Sequence, residues 1–319
     1  RHQRLHPCRP REGTDVARRL LAVSLVLLAS GCTLGPDYKR PEIQSPATFQ
    51  YEPKDAAATA DTLWWQQFQD PVLDQLIDEA LKHNTNVQIA AANVEQAAAV
   101  LPQSRSQLFP QVGYGAGAQR GRTREPAVAS LVPNYPNPAS AYQAALQASW
   151  EIDLWGRIRR QSEAAYANVL ATDEARRGVI LSLVAQVANS YLQLRGLDAQ
   201  LDVAKKTLQT YKESVDLFTL QFQYGQVSMM NVAQAQSQYE TAAAQIPLIE
   251  SQIAQTQSSL AVLIGRDPGP IVRGKSVYDL QLPQVPAGVP SALLERRPDL
   301  NQAEQQLIAA NARIGAAKA

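Results

Sequence analysis

Cysteine and histidine are scarce in this chain: two cysteines, Cys8 and Cys32, and three histidines, His2, His6 and His83, are scattered over 319 residues. Neither the counts nor the spacings suit a disulfide framework or a metal cluster, and His83 reads as a surface residue near a helix end. Charge is low as well. Asp, Glu, Lys and Arg make up 18% of the residues, below the usual ~25%, and the formal net charge is +1. No sign bias points to nucleic acid or to acidic partners. With no Ser/His/Asp or Cys/His set and no phosphate loop, the chain is not expected to be an enzyme or to need a cofactor. What it has in plenty is Gln, Asn, Ser and Thr among many alanines. That composition suits close-packed helices with a neutral, wet face.

Long apolar runs are also missing. The run Leu20 to Ala29, preceded by Arg18 and Arg19, is too short for a membrane-spanning helix of ~20 residues and fits the core of a signal peptide. It ends in Leu28-Ala29-Ser30-Gly31-Cys32, which resembles a bacterial lipobox with Ala29 where Leu is usual. The Cys32 thiol would carry diacylglycerol, and cleavage before it would free its amine for a further acyl chain. An ordinary signal peptide with a chance cysteine is the plainer alternative. Several acyl chains hold a protein on a membrane where one is marginal, and Thr33 in place of Asp implies sorting to the outer membrane. Residues 1–15 have no signal character and no methionine precedes Met229. The expected start is therefore Val16, with the signal region ending at residue 31. Residues 32–62, rich in Pro, Ala and Asp without a period, read as a lipid-anchored tether.

Proline is absent from Trp155 to Phe222, and the glycines there are Gly156, Gly178 and Gly196. A seam at steps of three and four runs from Ile180 through Leu183, Val187, Ser190 and Leu194 to Phe218 and Phe222, with Ser190 its polar member. This predicts a coiled-coil helix over 156–222, roughly 100 Å long at ~1.5 Å per residue. The seam by itself fits a filament segment equally well. A shorter helix over 70–82 has Leu73, Leu76, Ile77, Ala80 and Leu81 on one face, with Trp64 and Trp65 as packing residues before it. Another, over 85–106, carries Val87, Ala90, Val94, Ala97 and Leu101, and Pro102 should weaken its last turn. The same pattern returns 213 positions later at Leu300, Ala303, Leu307, Ala310 and Ile314, with Leu294 matching Leu81. This is an internal repeat, the first copy spanning 63–290 and the second beginning at 291–319.

Between these helices the period changes to two. Tyr142, Leu146, Trp150 and Ile152 alternate with Gln143, Gln147, Ser149, Glu151 and Asp153, predicting a strand over 142–154. Its weaker partner, 111–121, has glycine on most of one face, and prolines fill the loop between them. Apolar-out, polar-in strands of about ten residues are the mark of a transmembrane barrel, with Tyr142, Leu146, Trp150 and Ile152 facing lipid and Gln143, Gln147, Ser149, Glu151 and Asp153 facing the lumen. A half-buried hairpin of a soluble sandwich is the competing reading. After Phe222, Gly225 suits a left-handed helix end and Ser228 a helix cap, so the chain reverses into a helix over 228–264, kinked at Pro247. This return is about half as long as the outgoing helix, and the 85–106 helix placed end to end with it makes up most of the difference.

The chain resembles the TolC-like outer membrane factors, most closely their lipoprotein branch. The likeness rests on Trp150-Glu151-Ile152-Asp153-Leu154-Trp155-Gly156-Arg157, on Gly225-Gln226-Val227-Ser228, on Leu263-Ile264-Gly265-Arg266-Asp267-Pro268, and on the run from Val289 to Leu300 containing Glu295-Arg296-Arg297-Pro298-Asp299. Gln221 and Asn231 stand where the family usually has Arg and Asp. The resemblance implies a mainly α fold with a transmembrane β-hairpin, in which long helices form a coiled-coil barrel below a shared β-barrel in a homotrimer. It implies a passive outer membrane exit duct for drugs or other small molecules, powered by an inner-membrane pump. A periplasmic adaptor would meet the tip at Tyr224, Gly225, Gln226, Val227, Ser228, Met229 and Met230. The chain stops inside the second repeat, so a truncated product is expected, unable to close that trimer because unpaired strand edges are unstable in lipid. The rivals are an outer membrane component of type I protein secretion and a pore-less, lipid-anchored structural coiled coil.

Overall fold

The computed structural model describes residues 33–42, 63–122, 138–282 and 294–319. The signal region, Cys32 and most of the expected tether lie outside them. A 3-10 turn, Trp64–Phe68, is followed by α1 (Pro71–His83), α2 (Thr85–Ser106), β1 (Gln111–Gly121), β2 (Ala139–Ser149), α3 (Arg157–Gln223), α4 (Met229–Leu263) and α5 (Pro298–Lys318). Among the described residues the fold is mainly helical with one antiparallel hairpin, as the sequence predicts. Among the described residues no helix is long and apolar enough to cross a membrane. The described residues divide into two compact units, one of 33–40, 97–122, 138–169 and 305–319, the other of 41–42, 63–96, 170–282 and 294–304, with the boundaries falling inside α2, α3 and α5.

The second unit holds the main core. Asp70 starts α1: its Oδ1 accepts from the Val72 backbone N–H at 2.9 Å, and Pro71 occupies the first helical position, where no amide bond is lost. The amphipathic face then buries Leu73, Leu76, Ile77 and Ala80 against Leu183, Val187 and Leu194 of α3 and Leu260 of α4. Each such leucine contributes about 1.5–3 kcal/mol by leaving water. Trp64 and Trp65 pack on this core edge to face, with centroids 6.1 Å apart. Further along α3, Leu201, Ala204, Leu208, Tyr211, Val215 and Phe218 are half-buried, and Phe222 at the end is exposed.

Asn84 joins the two shorter helices. Its side-chain Oδ1 accepts from the Asn86 and Val87 amides, capping α2, while its Nδ2 donates to the Leu263 carbonyl at the end of α4. The start of α2 thus meets the end of α4, the end-to-end arrangement expected from their lengths. Pro102 and Pro247 both lie inside continuous helices, α2 and α4.

In the first unit, β1 pairs with β2 from Gln111 opposite Ser149 to Gly121 opposite Ala139. The second strand therefore stops five residues short of the expected Leu154. Pro110 precedes Gln111, and proline has no N–H to continue the ladder past Ser149. A second difference concerns α5. The heptad residues Leu300, Leu307 and Ile314 are exposed, and the face that is buried carries Ala309, Ala312 and Gly315 instead. Small residues win there because they admit close approach to Ala164 and Ala167 of α3.

Candidate functional site

The hairpin has two chemically distinct faces. Tyr142 pairs with Ala118, Ala144 with Ala116, Leu146 with Tyr114 and Ala148 with Val112. This face is open: Tyr114 is 90% exposed, Tyr142 82% and Leu146 78%. On the other face Gln143 lies opposite Gly117 and Gln147 opposite Gly113. A Cβ on Gly113 would stand 3.2 Å from the Gln147 amide nitrogen, so each glutamine lies over bare backbone. Ser149 closes this face opposite Gln111.

Below the ladder the expected alternation gives way to specific contacts. Trp150 donates its indole N–H to the Leu108 carbonyl at 3.1 Å. Glu151 takes both guanidinium bonds of Arg157, which favours its charged form and lowers its pKa. A tight turn, with the Leu154 amide on the Ile152 carbonyl at 2.9 Å, brings Asp153 under the first turn of α3. Burial opposes the ionisation of Asp153, but the Arg159 and Ile158 backbone N–H groups and the Arg159 guanidinium outweigh it and hold the carboxyl below its ordinary range. Glu151 and Asp153 are thus engaged at a helix N-terminus, where negative charge is favoured, and not on a strand face. Trp150 and Ile152 are exposed beside Leu154 and Trp155, forming an apolar rim at the junction.

In the second unit the reversal follows a known helix-ending pattern. The Gln226 amide donates to the Gln221 carbonyl and the Gly225 amide to the Phe222 carbonyl, with Gly225 at φ +75°, the two bonds of a Schellman motif. Ser228 occupies the cap position of α4 with extended backbone, and its carbonyl accepts from Asn231 at 3.0 Å. Its side chain makes no capping bond, contrary to expectation. Tyr224, Met229 and Met230 are exposed, Met230 by 73%. The motif recurs at the end of α4, where Arg266 donates to Ala261 and Gly265 to Val262 at φ +76°.

Two polar clusters escape sequence reasoning. Asp70 and Tyr191 are both fully buried. The Tyr191 hydroxyl donates to Asp70 Oδ2 at 2.7 Å and accepts from the Gly274 amide at 2.9 Å, and the Lys275 amide donates to the same carboxylate oxygen. Burial, then the bond to Asp70, pushes the Tyr191 phenol well above its ordinary range. Beside them Asp198 receives Arg195 and Arg273. In the first unit Arg160 is buried with bonds to Asp37, Glu163 and the Leu34 carbonyl. Nothing local in the sequence marks Tyr191 or Arg160.

Residues 76–266 match the family model described as outer membrane efflux protein. The chain is 38% identical over 308 residues to the toluene efflux pump outer membrane protein TtgC of Pseudomonas putida, covering 94% of this chain and 63% of that protein. It is 33% identical over 308 residues to the cation efflux system protein CusC of Escherichia coli, covering 94% and 65%. Among solved structures, the outer-membrane channel OprN superposes with a TM-score of 0.75 at 30% identity, over 90% of this chain and 64% of that one. The open state of the Neisseria gonorrhoeae MtrE channel gives 0.75 at 31%, over 90% and 63%. The chain thus spans between 63% and 65% of the length of these relatives. Matched by the family model over residues 76–266, which take in the hairpin and both glycine-ended reversals, and in fold over 90% of its length, the chain belongs to the outer membrane efflux protein family.

Proposed function

We propose that this chain is part of an outer membrane channel subunit, lipid-anchored at Cys32, that serves as the passive exit duct of a tripartite efflux system. The observation that carries the reading is the hairpin, whose exposed Tyr114, Tyr142 and Leu146 suit lipid while Gln143, Gln147 and Ser149 suit a wet lumen. The lumen face is neutral, so it favours no sign of charge. That fits a family whose members are named for substrates as unlike as toluene and cations. Trp150 and Ile152 serve as the rim where barrel meets helices, and Glu151 and Asp153 as the junction's internal ties. The duct performs no bond chemistry; an inner-membrane pump supplies the energy. A periplasmic adaptor docks on the tip from Tyr224 through Gly225, Gln226, Val227 and Ser228 to Met229 and Met230. At the relatives' full length the protein assembles as a homotrimer.

Planar-bilayer recording tests this on the protein extended to the relatives' full length. Discrete conductance steps are expected, and none from a version lacking residues 111–149. Equal conductance without the hairpin would overturn the reading in favour of a different pore or a structural role.

A further inference from the structure

The segment just after Cys32 is fastened in the first unit by contacts that neither a tether nor a channel wall requires. The Leu34 amide donates to the Trp155 carbonyl at 3.0 Å. Thr33 lies against Gly156, where a Cβ would sit 2.8 Å from the threonine methyl and the backbone has φ +85°. Gly35 crosses α5 at Gly315: a Cβ on Gly35 would fall 2.4 Å from the Gly315 Cα, so both positions demand glycine. The Asn311 side chain donates to the Pro36 carbonyl at 2.8 Å. At the centre is Arg160, with its side chain 5% exposed, bonded to Asp37 at 2.6 Å, to Glu163 at 2.8 Å and to the Leu34 carbonyl at 3.3 Å. Burying a guanidinium is costly unless it is paired and fully hydrogen-bonded. Here two carboxylates and a carbonyl meet that need, and two of the three acceptors belong to the amino-terminal segment.

We propose that Arg160 is the positioning residue for the lipid anchor. It holds Leu34 to Asp37 on the first turns of α3, beside the exposed apolar rim of Trp150, Ile152, Leu154 and Trp155. The acyl chains on Cys32, bonded directly to Thr33, then enter the bilayer at the level of that rim. Anchor and hairpin are set to one depth, so that the outer membrane lipid engages both together. This rests on the reading of Cys32 as acylated.

The test uses the chain produced in a Gram-negative host fed an alkynyl fatty acid, then purified and placed in phosphatidylcholine vesicles with brominated acyl chains. Wild type is expected to carry the fatty-acid label, to slow hydrogen exchange in the peptide of residues 33–38 through the Leu34 amide held by Trp155, and to show quenched tryptophan fluorescence. Arg160→Gln, and Asp37→Lys at a side chain that is 82% exposed and so leaves no cavity in the core, should keep the label. Both should exchange residues 33–38 faster by about tenfold and lose part of the quenching. Exchange over the α3–α5 contact at Ala164, Ala167, Ala309 and Ala312 should stay as in wild type for Asp37→Lys, which a general loosening would not allow. A wild type without label overturns the acylation reading and the proposal with it. A labelled Asp37→Lys variant with unchanged exchange and quenching overturns the clasp alone.

Discussion

The Tyr191 hydroxyl donates to the Asp70 carboxylate at 2.7 Å, across 121 positions of sequence and with both residues fully buried. Asp70 already caps α1 through Val72 with its other oxygen. The pair therefore fastens the start of a short helix to the middle of the long one. The Gly274 and Lys275 amides complete the ring, and the segment that carries them is held again by Arg195 on the Lys275 carbonyl and Arg273 on Asp198. A Cβ on Gly274 would stand 2.1 Å from the Asp70 carboxylate, so the ring also fixes which residue can sit there.

Tyr191→Phe should destabilise the protein by about 1–3 kcal/mol, because the half-buried Gly274 amide loses its acceptor and the fully buried Asp70 loses its closest donor. Urea unfolding followed by circular dichroism reads the change. The pH dependence has a definite sign. The folded phenol titrates above the ordinary 10.0, so its contribution is complete below pH 10 and is lost as pH rises through the folded value. The gap between wild type and Tyr191→Phe should narrow in strong alkali, and a gap constant to high pH would count against the bond.

The two Schellman glycines should differ in cost. Gly225→Ala forces an alanine into left-handed backbone but meets nothing within 4 Å among the described residues, so about 1 kcal/mol is expected. Gly265→Ala adds a contact of 2.7 Å with the His83 carbonyl at the junction of α1 and α2. Crowding of that kind costs about 1–3 kcal/mol more. Urea midpoints of the two variants should rank Gly265→Ala as the less stable, and equal midpoints would show that the α1–α2 junction yields freely.

Asp153 gives the strand-to-helix junction an acid limit. Its folded pKa lies below the ordinary 3.8, so its stabilisation is complete above that value and is lost as pH falls through the folded pKa. Asp153→Asn should weaken the first turn of α3 by about 0.3–1 kcal/mol at neutral pH, since the neutral amide loses the interaction with the helix N-terminus. Amide exchange at Ile158 and Arg159 is the readout. The variant should exchange faster at pH 7 and approach wild type under acid conditions.

The sequence was most legible where a local rule and the tertiary fold agree. Helix α2 and strand β1 run over the residues their periods predicted, because Asn84 caps the first and the proline and glycine flanks confine the second. Strand β2 shows the limit of such reading: alternation continues through Trp150 to Leu154, but a ladder is only as long as its partner, and Pro110 ends β1. In α5 the heptad pattern marks Leu300, Leu307 and Ile314, yet the buried face is the one with room for close backbone approach. Tyr191 sits next to the polar seam residue Ser190, and only a carboxylate far away in sequence makes its burial favourable. The burial of Arg160 likewise depends on residues far away in sequence, Leu34 and Asp37, which accept from its guanidinium.

The glycines of β1 offer a direct probe of the proposed lumen. Glycine inside a strand costs stability and usually marks close approach of another group. Gly113 and Gly117 meet that description, with Gln147 and Gln143 lying over them, but Gly115 between them has nothing within 4 Å of an added Cβ among the described residues. It faces the same side and pairs with Ala145. Packing within the hairpin therefore does not require glycine at 115, and Gly115→Leu should leave the ladder intact or strengthen it by restoring a side chain with ordinary strand backbone. If that face lines the channel, each subunit adds one isobutyl group to the lumen. Conductance steps of the full-length protein should then fall, while membrane yield and heat resistance of the assembled oligomer stay level. Gly113→Leu, which must displace Gln147, should instead lower yield. Unchanged conductance in a well-assembled Gly115→Leu channel would place the glycine face away from the conducting path.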